Sequence, residues 1–188
     1  MSAFDMVRRS FGANWTTVLI GWNGLGMLSP WPGRWTEFPS LLSREEIVSY
    51  ANERLERSSN SSTERDLVLR LLAADLPGET REEIKALLEP LSEVSNGNPA
   101  LELRKWRLVL LEQLLRDLPQ GRPSSALVAL TEFWQDFGFP GDSPHEVQGR
   151  DNTISPLDYY QQRTLDLALA KHLAWIDREK LEVPSSCD

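Results

Sequence analysis

Apolar positions recur at helical intervals along most of the chain. Phe4 to Phe11 and Trp15 to Leu25 open it as two short apolar segments, each read as a helix, the second stopping at its glycines. From residue 43 the signal strengthens. Ser43-Arg44-Glu45-Glu46 has the spacing of a capping box, in which serine and glutamate satisfy each other's backbone N–H groups, and Ile47, Ala51 and Leu55 follow at four-residue intervals. A polar break precedes Thr63 to Leu76, where Leu67, Leu71 and Leu72 resume the stripe until Pro77-Gly78. Thr80-Arg81-Glu82-Glu83 repeats the capping box ahead of Ile84, Leu87, Leu88, Leu91 and Val94. Asn96-Gly97 then reads as a helix C-cap.

The longest apolar helix is expected over Ala100 to Leu118. Leu103, Trp106, Leu110, Leu114 and Leu118 form one stripe, and Leu101, Leu108, Leu111 and Leu115 a second, so this helix belongs at the centre of a core. Ser125 to Phe137 predicts the next helix, and residues 138–155 a long loop. Ser155-Pro156-Leu157-Asp158 starts the last one, running to about Glu179, with a serine cap, proline at the first position and an acid in the first turn. Proline and tryptophan crowd Ser29 to Pro39, where an aromatic-pinned loop replaces any regular element. No segment alternates with the two-residue period of a strand. The expected fold is all-α, an irregular helical bundle or a HEAT-like stack of helical hairpins. Residues 1–42 form an N-terminal helical segment and aromatic/proline loop packed on a helical-hairpin body, 43–188. The expected pairs are 43–57 with 63–76, 80–94 with 100–118, and 125–137 with 156–179.

Charge changes the picture more than size does. The 188 residues carry 20 basic and 28 acidic side chains, a formal net charge of −8. Such a surface repels phosphate backbones and anionic lipid, so nucleic acid and membrane are poor partners and a basic protein is a natural one. The single cysteine, Cys187, allows no internal disulfide. With no secretory leader recognised at the N-terminus, a cytoplasmic location is expected.

Tests for catalytic chemistry fail one after another. Only two histidines are present. His172 sits among Leu169, Leu173 and Ile176 and reads as a helix-packing residue. His145-Glu146 begins like a zinc-protease motif, but position 149 is glycine where the second histidine would stand. Gly21-Trp22-Asn23-Gly24-Leu25-Gly26 lacks the lysine of a phosphate loop and reads as a turn. Neither metal nor cofactor is expected, and the chain is not read as an enzyme.

What remains is a concentration of acid. Glu132, Asp136, Asp142, Glu146, Asp151 and Asp158 face a single base, Arg150, over residues 131–158. Loops carried on a rigid scaffold do much of the binding in proteins, so these six acids are candidate partner-binding residues. Trp31 and Trp35 join them as aromatic anchors of the kind that dominate interfaces. The acids also admit metal-assisted or acid–base chemistry with His145, a weaker alternative.

Several of these residues resemble a family. Gly21-Trp22, Lys105-Trp106, the run Glu132 to Pro140, and the closing segment Lys171 to Ile176 are similar to an uncharacterised all-helical bacterial domain family. Its members resemble immunity proteins encoded beside polymorphic or contact-dependent inhibition toxins. The resemblance implies a protein that binds and neutralises a cognate toxin domain, a basic nuclease for example, by occluding it. A helical scaffold holding a protein partner in a groove is the alternative.

Overall fold

The computed structural model describes residues 1–24, 40–57, 61–74 and 78–184, and Trp31 and Trp35 lie outside them. Among the described residues the regular structure is entirely helical: α1 (Ala3–Phe11), α2 (Trp15–Asn23), α3 (Arg44–Glu56), α4 (Ser62–Ala73), α5 (Arg81–Ser95), α6 (Pro99–Asp117), α7 (Pro123–Asp136), α8 (Pro156–Tyr159) and α9 (Gln162–Glu182). The fold is all-α, as the periodicity predicts. Both capping boxes form, at Ser43/Glu46 and Thr80/Glu83. Asn96 ends α5 in the left-handed conformation at φ 48°. The described chain divides into two compact units, residues up to Trp106 forming the first and 107–184 the second, with the division inside α6.

The first unit is organised around α2, a buried helix whose ends are closed by side chains from elsewhere. At its N-terminus Asn14 caps Thr17, and the Glu102 carboxylate accepts hydrogen bonds from Asn14 Nδ2, Thr17 Oγ1 and Lys105 Nζ. At its C-terminus Arg81 donates to the carbonyls of Trp22 and Asn23 at 3.0 and 2.7 Å. An anion at the positive end of a helix and a cation at the negative end both complement its dipole. Between these ends Trp106 stacks with Phe4 and donates to the Thr17 carbonyl at 2.9 Å. Trp15 packs edge-on to Tyr50 and donates to Glu64, which also receives Arg54.

Two glycines permit this closeness. Gly21 is helical, not in a turn, and an added Cβ would stand 2.4 Å from the Trp106 ring. A Cβ on Gly97 would meet Thr16 Oγ1 at 2.5 Å. Helix α5 accordingly packs against α2 and α4, and α2 takes the place that the spacing assigned to 100–118. Helix α3 pairs with α4 as expected.

In the second unit α7 packs on α9, also as expected. The last helix is not continuous, however. Tyr160 and Gln161 leave helical geometry, the latter extended at ψ 156°, so α8 is a single turn and α9 a fresh start. The Tyr159 hydroxyl donates to the Glu146 carbonyl at 2.6 Å, tethering α8 to the preceding loop.

Gly21→Ala provides a test of the α2 packing. Helix propensity alone would make it stabilising by about 1 kcal/mol. Collision with the buried Trp106 ring instead predicts a loss of about 1–3 kcal/mol, read from the urea midpoint.

Candidate functional site

The segment after α7 is ordered by its own sequence. Gly138 takes φ 71°, and the N–H groups of Gly138 and Phe139 return to the carbonyls of Gln135 and Trp134 at 2.9 and 2.8 Å. That is a Schellman ending, with glycine where a left-handed residue is needed. Farther along, Asn152 gathers residues 147–154. Its Nδ2 donates to the carbonyls of Val147 and Arg150, and its Oδ1 accepts from Gly149 and Ile154.

A buried cation fastens this segment to the helices. Arg107, on α6, lies over the rings of Trp175 and Trp134 at 4.9 and 5.7 Å. It grips both carboxylate oxygens of Asp142 at 3.2 and 2.7 Å, with Glu179 at 3.9 Å behind it. Trp175 Nε1 donates to the same Asp142. Such two-pronged guanidinium–carboxylate pairs fix orientation as well as charge.

His145 is buried in the same segment. Its Nε2 lies 2.8 Å from Thr131 Oγ1 and 3.5 Å from the Tyr159 hydroxyl. Its Nδ1 has no partner among the described residues. Burial, followed by the neighbouring His172, pushes its pKa down to about 4. His172 is lowered as well, chiefly by burial. That ring accepts from Trp134 Nε1 at 2.8 Å, and its Nδ1 is bonded to the Ala168 carbonyl at 2.6 Å. His172 is therefore a packing residue, as its sequence neighbours suggest. A cavity of about 510 Å³ opens beside His145, bordered by Phe139, Ser143, Glu146, Arg150 and Asp151.

Residues 4–180 match the model of a family described as uncharacterised proteins conserved in bacteria, DUF2247. The chain belongs to the DUF2247 family. No curated protein and no solved structure matches it.

The six acids singled out in this DUF2247 chain do not converge. Asp142 is spent on Arg107, Glu146 pairs with Lys171, and Asp158 accepts from Ser155 at the start of α8. Glu146 and Asp151 share the cavity's border. Glu132 and Asp136 lie one turn apart on α7 and make no ion pair among the described residues. The Asp136 carboxyl is raised, first by partial burial and then by the charge of Glu132. No group of three His, Cys, Asp or Glu among the described residues could hold a metal ion, and no helix among them is long and apolar enough to cross a membrane.

Arg107 and Glu179 escaped the sequence reading. The available signal was a set of charges on a leucine-rich helix: Glu102, Lys105 and Arg107 interrupt its stripes.

Two outcomes follow for this unit. Arg107→Met removes a buried cation and lowers stability by about 3 kcal/mol or more, whereas Asp142→Asn, at a residue whose side chain is 42% exposed, costs about 1 kcal/mol. Equal losses in urea unfolding would contradict the arrangement. Acid has a second effect. Below the ordinary pKa of 6.5 the unfolded chain takes up protons that buried His145 refuses, so stability present above pH 6.5 drains away as the pH falls towards about 4. His145→Gln flattens that slope, and the residue of it belongs to His172; unfolding midpoints measured between pH 4 and 7 check this.

Proposed function

We propose that this DUF2247 chain is a stoichiometric binder of a basic protein, and specifically an immunity protein that neutralises a cognate bacterial toxin domain by covering it. The observation that carries the reading is the Glu132–Asp136 pair. Like charges four residues apart on a helix destabilise it, and the Asp136 carboxyl is raised first by its partial burial and then by the charge of Glu132. Asp142, Glu146 and Asp158 have partners within the chain; Glu132 and Asp136 form no ion pair among the described residues. A cationic surface arriving at α7 would relieve that repulsion. The net charge of −8 adds long-range attraction to a domain built to hold phosphates.

On this reading Glu132, Asp136 and Asp151 are available to the partner, while Asp142 shapes the loop that carries Asp151. Catalysis has no part in it. A second reading, a helical adaptor, draws on the exposed leucines 167, 173 and 181 of α9.

The decisive experiment co-expresses the chain with the toxin domain encoded beside it and measures both growth protection and association. A tight one-to-one complex is expected, with the association rate falling steeply as salt rises. Glu132→Gln with Asp136→Asn should slow association about tenfold at low salt while leaving the fold intact. Salt-insensitive binding that is instead lost in Leu167→Asp or Leu173→Asp would favour the adaptor reading.

A further inference from the structure

Helix α9 is apolar on two sides. Leu165, Trp175 and Ile176 are buried, while Leu167 and Leu173 on the other side stay 57% and 55% exposed. A surface helix ordinarily leaves its outer face to polar residues, so a second apolar face calls for a second neighbour.

The outer face is symmetric in sequence. Ala170 stands exposed at its middle. Leu167 and Leu173 lie three positions to either side of it, and Arg163 and Asp177 seven positions to either side. At about 100° per residue, all five fall within an arc of about 120°. Two other cations of the helix, Lys171 and Lys180, pair with Glu146 and Glu112. Arg163 and Asp177 make no ion pair among the described residues.

This order of residues complements itself when reversed. On a second α9 laid antiparallel about a two-fold axis at Ala170, Leu167 comes level with the copy's Leu173, and Arg163 with the copy's Asp177. A parallel pair in register would instead set Arg163 level with Arg163 and Asp177 with Asp177. A small residue at the crossing lets the helix axes approach to about 8–10 Å, where the flanking leucines can interdigitate.

Charge favours a copy of this chain over a basic partner. Helix α9 carries four basic and four acidic side chains and is neutral, although the whole chain is at −8. A basic domain gains little attraction from such a face, and two copies meeting on it bring no excess of like charge into contact.

We infer that the outer face of α9 is a self-association surface, on which two copies of the chain pair antiparallel about a two-fold axis at Ala170. The dimer forms from the chain alone and stands whether or not the Glu132–Asp136 face binds a toxin.

The test follows the mass of the full chain by sedimentation equilibrium as its concentration rises, with circular dichroism to show that each variant stays folded. A monomer–dimer equilibrium is expected. Asp177→Arg sets cation against cation at both ends of the interface and should weaken the dimer about tenfold or more. Adding Arg163→Asp to the same chain restores opposite charges at both ends, and the affinity with them. A chain that stays monomeric at every concentration overturns the inference, as does a dimer indifferent to Asp177→Arg or not rescued by the double exchange. A monomeric chain in which Leu167→Asp abolishes binding of a different protein assigns the face to an adaptor and overturns it too.

Discussion

A charge removed from water must find its counter-charge nearby, and α6 carries three such charges within two turns. Glu102, Lys105 and Arg107 are all buried. Desolvating each costs several kcal/mol unless geometry and hydrogen bonds compensate. Glu102 and Lys105 answer each other and draw in Asn14 and Thr17, which places the start of α2. Arg107 answers to Asp142 and two indoles, which places the loop after α7.

Both buried clusters use aromatic rings as more than filler. The indoles of Trp15, Trp22, Trp106 and Trp134 each donate a hydrogen bond, to Glu64, the Arg81 carbonyl, the Thr17 carbonyl and His172 respectively. A buried indole needs such a partner, so each tryptophan selects one register among those that would bury the same area. The neutral His172 follows from the same logic, since its neighbouring donor and acceptor decide where the ring keeps its proton.

How much of this the sequence discloses depends on whether a feature is local. Helix starts at Ser43, Thr80 and Ser155 are local chemistry and were legible. So was the Asn96 ending. The break at Tyr160 was not, because the proline start and apolar positions on either side fit one continuous stripe and the tether from Tyr159 is tertiary. The glycine cluster misled for a similar reason. Gly21 reads as a turn by composition, yet it serves a helix that must lie against an indole far along the chain. Among the acids, composition does not separate those engaged inside the chain from those without an ion pair among the described residues. Only the position of Arg107 and Lys171 makes that distinction. The segments that carry the resemblance, from Gly21-Trp22 to Lys171–Ile176, all lie within the family match to residues 4–180.

The closure of α2 also sets a clock. Thr17 and Glu102 are 85 positions apart, and Thr17 and Trp106 are 89. At ribosomal speeds of about 5–20 residues per second, α2 leaves the exit tunnel roughly 4 to 18 seconds before Glu102 and Trp106 follow it out. During that interval Trp15, Val18 and Trp22 have no finished core to enter. The nascent chain thus carries an apolar helix in waiting, and the rate at which α5 and α6 follow decides how long it is at the mercy of chaperones and aggregation.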